Sequence, residues 1–296
     1  MKIDSRQFRQ LRELIGAIRV TGGDSPRIST LTIGVVAFLI LLQPASAQLV
    51  QLRHWSGQGV APVYEGYDVN PDGSYNMWFG YMNRNYEEEL DIPAGPNNTF
   101  EPGGDRGQPA HFVVRRHKDV FKVVVPKDFG DQKLVWTLTA HGQTAQVAGT
   151  LNPVWMIDRL RTTRGGNSER IDSNTPPRVS VTPPEASIPN PGSVTFTVSA
   201  TDDGLPVRAG KSAGMTAMWA KYRGPGTVVF SPPKANLVDG RTTTTANFSV
   251  PGEYILQVVV DDGSGEAAGN FGYHCCWTNA QVRITVKGGS NGKLER

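Results

Sequence analysis

The residues best able to do chemistry in this chain of 296 are His274, Cys275 and Cys276, which stand together before Trp277 and include the chain's two cysteines. Four readings are open. Two thiols on a strand point to opposite faces, one inward and one outward. A disulfide between neighbours must close a gap of about 3.8 Å between Cα atoms, below the usual range of about 4.4–6.8 Å. An outward thiol could instead cross-link two chains. With His274, the thiolates could hold a soft metal, Cu(I) or Zn²⁺, although zinc normally gathers four ligands with spacers between them. A second oxygen-rich set is Asp202-Asp203 and Asp261-Asp262, at two strand ends. Acidic turns at one end of a sandwich could share Ca²⁺, and solvated turns are the alternative. Asp68-Val69-Asn70-Pro71-Asp72-Gly73 has calcium-loop spacing, but Phe79 stands where the bidentate Glu belongs, so an Asp-Gly turn is expected.

Nothing else converges on catalysis. G-x-S-x-G, H-E-x-x-H and G-x-x-x-x-G-K-[ST] are absent, and His54, His111, His117, His141 and His274 are scattered. His111 and His117 could meet across a hairpin, but two ligands make no site. Glu87-Glu88-Glu89 reads as a solvated turn. The chain is expected to be no enzyme and to need no cofactor. Binding surface is the remaining currency. Trp78, Met82 and Tyr86 alternate with Tyr75, Met77, Phe79 and Tyr81. One set must be core, and the other is a candidate platform for sugar rings or a partner. Asn97 and Asn98 lie in Ile92 to Pro109, a Pro-, Gly- and Asn-rich stretch without period and a second contact candidate.

These residues are positioned by strands. Phe112 to Arg116 and Val120 to Val125 flank the polar His117-Lys118-Asp119 as in a hairpin, and Leu134 to Thr139 passes through the turn His141-Gly142-Gln143-Thr144 into Ala145 to Leu151. Residues 61–158 read as one β-sandwich domain after a lead-in at 48–60. Residues 159–176 read as a linker, 177–287 as a second sandwich, and 288–296 as a frayed tail. Ahead of them, Leu31 to Leu42 is an apolar run of 12 residues, preceded by positive charge and followed by Ala45-Ser46-Ala47. It is too short for an ordinary membrane span and fits a signal peptide over 1–47, cleaved before Gln48, with retention as an anchor the alternative. After residue 47 the chain holds 24 basic and 24 acidic residues, which argues against nucleic acid as a partner.

The second half carries a family resemblance. Met218-Trp219-Ala220-Lys221-Tyr222-Arg223-Gly224-Pro225-Gly226-Thr227-Val228-Val229-Phe230 and Phe248-Ser249-Val250-Pro251-Gly252-Glu253-Tyr254-Ile255-Leu256-Gln257-Val258-Val259-Val260-Asp261-Asp262-Gly263 resemble two segments of PKD-type and related Ig-like domains. The resemblance implies a β-sandwich with Trp219 as its buried strand aromatic, and spacer, adhesion or binding-accessory roles. The fold class expected is all-β, two Ig-like β-sandwich domains in tandem after a signal peptide. The function expected is a non-catalytic binding or scaffold protein, periplasmic or extracellular, with an envelope or extracellular protein or a polysaccharide as partner and no membrane span in the mature chain. The alternatives are a carbohydrate-binding accessory protein using the Trp78 face and a Cu/Zn protein centred on His274, Cys275 and Cys276.

Overall fold

Apolar residues at every second position build this protein, and the turn residues between them decide how the strands meet. The computed structural model describes residues 53–157, 174–204, 207–208, 211–212, 214–263 and 276–288. The leader, most of the expected linker, His274, Cys275 and the tail beyond Gly288 lie outside them. Residues from Arg53 onward form one compact unit, and this unit contains two hydrophobic cores.

The first core lies between two three-stranded antiparallel sheets. One orders β1 (Val60–Val69), β2 (Tyr75–Asn83) and β6 (Arg115–Val125) as β1-β2-β6. The other orders β4 (Asn98–Glu101), β7 (Leu134–Ala140) and β8 (Gln143–Gly149) as β4-β7-β8. A two-residue ribbon of β3 (Leu90–Asp91) and β5 (His111–Phe112) closes one end. Met77, Phe79 and Tyr81 of β2 are buried in this core, where the Phe79 ring meets those of Phe100 and Trp136. The Phe100 and Trp136 rings stack at 5.6 Å and 10°. The β7–β8 hairpin forms where the sequence places it, but its turn is tighter than the four residues expected, because Gln143 and Thr144 pair with Ala140 and Thr139. His141 and Gly142 take φ of 49° and 70°, as a turn matched to strand twist requires.

The hairpin expected at His117-Lys118-Asp119 is not formed. β6 runs unbroken from Arg115 to Val125 along β2, and its extra residues are taken up between the pairs Phe79↔Phe121 and Tyr81↔His117. Asp119, at φ 44°, makes the bulge, and Asn279 Nδ2 donates to its carbonyl at 2.7 Å. Gly80 sits opposite, where a Cβ would collide with the Glu65 carboxylate and the His117 carbonyl.

The second core lies between sheets ordered β15-β17-β11-β9 and β10-β19-β18-β14-β16. Their strands are β9 (Arg178–Thr182), β10 (Glu185–Pro189), β11 (Ser193–Thr201), β14 (Thr216–Arg223), β15 (Val228–Ser231), β16 (Lys234–Asn236), β17 (Arg241–Phe248), β18 (Gly252–Asp261) and β19 (Trp277–Lys287). A small ribbon of β12 (Val207–Arg208) and β13 (Lys211–Ser212) interrupts the run. The first strand splits, β9 joining one sheet and β10 running parallel to β19 in the other. That order is the immunoglobulin one. Two further marks agree. Trp219 is buried on β14, between Phe196 and Phe230. Tyr254, at the start of β18, donates its hydroxyl to the Val250 carbonyl at 2.8 Å, a tyrosine corner. The alternation read from sequence holds, with Tyr254, Leu256, Val258 and Val260 all buried. Apart from a 3₁₀ turn at Pro153–Trp155, the described residues contain no helix.

Candidate functional site: a groove between the two cores

β14 leaves the second core with three large side chains in succession, Lys221, Tyr222 and Arg223. A regular strand would send the middle one to the opposite face. Here the pairing with β18 slips between Lys221 and Arg223, so Tyr222 is an extra residue and all three reach residues of the first core. The Tyr222 ring is part of the first core, and its hydroxyl donates to the Gly107 carbonyl. Arg223 forks onto both Asp105 oxygens at 2.8 and 2.9 Å and donates to the Gln108 carbonyl. Lys221 Nζ reaches Asp91 at 2.9 Å and the Gly226 carbonyl at 2.7 Å. The Ala110 amide donates to the Tyr222 carbonyl at 2.9 Å, so backbone also joins the two sides. Gly224, which follows, takes φ 149° with the Tyr254 ring against its Cα, a place only glycine fits.

The receiving side is the Ile92–Pro109 segment, read from its lack of period as a long ordered loop. Part of it is β4, and two buried amides hold the rest. Asn98 Nδ2 donates to the carbonyls of Ile92 and Pro109, and its Oδ1 accepts from Trp136 Nε1 at 2.9 Å. Gln108 Nε2 donates to the Asn98 carbonyl at 3.0 Å. Asn98 is therefore no contact residue, because its side chain is spent as an internal strut. Its neighbour Asn97 is exposed.

Beside these contacts runs a groove of about 880 Å³. Its apolar floor includes the exposed Met218 and Val229, and its walls carry Glu89, Asp91, His111, Lys221, Arg116 and Lys118. His111 Nδ1 lies 2.9 Å from Asp91 Oδ1, and its Nε2 lies 3.0 Å from Glu89 Oε2. Ionised carboxylates only accept, so both ring nitrogens must donate, and the ring fits as an imidazolium. Burial opposes that charge, but the hydrogen bonds to Asp91 and Glu89 outweigh it and raise the His111 pKa. The His111 hydrogen bond in turn lowers the Glu89 pKa. Burial works against ionised Asp91 too, and the bonds from His111 and Lys221 win, holding its pKa low. Arg116 is neutralised by Glu65 at 2.6 Å, a pair wrapped around Gly80.

The other sequence candidates fall elsewhere. Trp78, Met82 and Tyr86 are all half-buried. Trp78 Nε1 donates to Asp68 at 2.8 Å, and Lys122 Nζ sits 5.4 Å from its ring centre. The Arg115 guanidinium lies 3.9 Å over the Tyr86 ring, and Trp55 packs on it edge-on. Each of the two rings thus carries a cation of the same chain, which competes with a sugar for stacking there. Asn70 to Ser74 forms a closed turn between β1 and β2.

The two acidic turns do meet. Asp202 has its pKa raised, first by burial and then by the nearby Asp262 and Asp203 charges. Their oxygens accept from the start of the second half. Asn174 Nδ2 donates to Asp262, and the Thr175 amide and hydroxyl donate to Asp203. Among the described residues, no three His, Cys, Asp or Glu side chains are grouped to hold a metal ion. Cys276 is buried and disulfide-bonded, with its sulfur 3.5 Å from the Asn174 carbonyl oxygen. A disulfide sulfur offers no thiolate, so soft-metal binding there would first need reduction.

No family model and no curated protein matches this chain. Among solved structures it is similar to WR4, a C. elegans MSP family member, at 13% identity and TM-score 0.27, over 37% of this chain and 97% of that one. It is similar to domains 4 and 5 of the S-layer protein SbsC at 13% identity and TM-score 0.26, over 65% and 78% of the two chains. The D00-D0 domain of intimin matches at 12% identity and TM-score 0.25, over 76% and 99%. Likeness at this level does not extend to ligand or partner.

Proposed function

We propose that this chain is an exported, non-catalytic binding or scaffold protein of the cell envelope that engages a protein partner through the groove between its cores. The observation that carries this reading is how the groove's polar groups are used. His111, Asp91, Glu89 and Lys221 are tied to one another, and Arg223 and Tyr222 are tied to backbone carbonyls. Groups spent on holding two walls together set a rigid shape rather than a reaction. The floor between them presents Met218 and Val229, 40% and 60% exposed, the kind of apolar centre with a polar rim that partners bury. The leader supports export.

Site-specific photo-cross-linking in envelope fractions tests the reading. A cross-linker at Val229 or Met218 should trap one defined partner. The same group at Val238, exposed but outside the groove, should not. Equal trapping at all three positions, or recovery of the chain only from the cytoplasm, refutes it.

A further inference from the structure

The four-charge cluster on the wall of the proposed partner groove has a second property, which rests on that groove being the functional surface. Glu89, Asp91 and His111 belong to the first-core side, and Lys221 comes from β14. Asp91 Oδ1 is shared between His111 Nδ1 and Lys221 Nζ, both at 2.9 Å. The residue before His111 supplies the backbone bond to Tyr222. The histidine ring thus sits at the joint between the two sides. We propose that Glu89, His111, Asp91 and Lys221 form a protonation-controlled clasp, which grips β14 while His111 is an imidazolium and loosens when that proton leaves.

The geometry sets the direction. Neutral imidazole has one N–H, so on deprotonation one ring nitrogen turns a lone pair toward a carboxylate about as close as before. Either Glu89 or Asp91 must then withdraw. If Asp91 moves, the Lys221 contact moves with it. The pKa directions agree. A histidine whose pKa is raised in the closed form strengthens that form fully below its ordinary value, and the gain is lost as pH rises through the raised value. The other titratable groups near the ring do not reverse this. Lys221 opposes the proton but is itself held by Asp91 and the Gly226 carbonyl. Arg116 is paired with Glu65, and His117 leans on Tyr81 with Nε2 on the Val114 carbonyl. The Tyr81 and Tyr222 phenols have raised pKa values through burial and stay neutral.

The test uses the full chain, reading the His111 ring by NMR and amide protection by hydrogen exchange corrected for its intrinsic pH dependence. The His111 midpoint should lie above about 6.5. The Ala110 amide, which bonds across to Tyr222, should lose protection with that same midpoint. Each unit by which the midpoint exceeds the ordinary value should cost about tenfold in protection. The Ile92 amide, which bonds the Ala110 carbonyl within the first-core side, should show no step. His111→Gln should abolish the Ala110 step. If that variant fails to fold, Glu89→Gln, at a half-exposed site, should move the His111 midpoint and the Ala110 step together to lower pH. A flat Ala110 profile, a step that survives His111→Gln, a Glu89→Gln shift in one reading without the other, or an Ile92 step matching that of Ala110 overturns the clasp. Photo-cross-linking at Val229 is a separate readout, so failure of the clasp and failure of the groove as a partner site can be told apart.

Discussion

Arg223 should matter far more to the joint than the carboxylate it so visibly pairs with. Its guanidinium makes a two-pronged pair with Asp105 and also donates to the Gln108 carbonyl through Nε at 2.8 Å and through Nη2. The Asp105 side chain is 51% exposed, and an ion pair with so wet a partner contributes only about 0.2–1 kcal/mol. Gln108 is fully buried, and a charged hydrogen bond to its carbonyl contributes about 1.5–3 kcal/mol. Arg223→Ala should therefore cost about 2–3 kcal/mol in urea unfolding, while Asp105→Ala should cost less than about 1 kcal/mol, with the slope unchanged in both. In a double-mutant cycle the coupling should stay near the smaller figure. It should also vanish in acid. Arg223 holds the Asp105 pKa down, so that contribution is present above the ordinary carboxylate range and fades as pH falls through the lowered value. If Asp105→Ala proved as costly as Arg223→Ala, or if the coupling survived at acid pH, the Gln108 carbonyl would not be the anchor.

Other substitutions probe the parts around the joint. Asn98→Ala strands the Trp136 indole N–H and the Ile92 and Pro109 carbonyls, so it should cost about 3 kcal/mol or more by denaturant melting. Gly80→Ala drives a methyl into the Glu65 carboxylate and the His117 carbonyl; a loss of about 1–3 kcal/mol is expected, with the Glu65–Arg116 pair displaced in a crystal structure of the variant. Tyr254→Phe removes the tyrosine-corner bond to Val250 together with the hydroxyl's bond to the Gly226 backbone, and thermal unfolding should register about 1–2 kcal/mol.

The strands of the second core were legible because their signal is local. Alternation along Tyr254 to Val260 fixes which side chains go inward, and Pro251-Gly252 marks where the strand begins. β6 was misread for the opposite reason. His117-Lys118-Asp119 carries the polar residues of a turn, and nothing nearby says that Asp119 will bulge instead. Part of what holds it is Asn279, 160 positions along the chain. The Ile92–Pro109 segment misleads in the same way. Asn98 and Gln108 read as surface residues by type, yet both are fully buried, doing with side-chain amides what a regular strand does with its backbone. The groove lay beyond reach altogether. Lys221, Tyr222 and Arg223 stand between Trp219 and the Gly224-Pro225 turn, and their partners Asp91, Gly107 and Asp105 lie 130, 115 and 118 residues away. The one local hint is three large polar or aromatic side chains in a row at a strand end, where alternation alone would bury the middle one.

The same contacts decide which surface is suited to a partner. On the β2 face, Lys122 and Arg115 already occupy the rings that a ligand would use, so binding there would first have to displace a cation held by the chain's own fold. In the groove most of the charges are paired in place: His111 and Lys221 against Glu89 and Asp91, Arg116 against Glu65, with Lys118, Lys234 and Asp261 also on the lining. Charges paired in this way give little long-range steering, so most of the affinity must come from covering Met218 and Val229 and from the fit between two cores that Tyr222 and Arg223 join. A partner selected by such a surface is selected by shape, and whatever loosens the joint changes that shape before it changes any contact the partner makes.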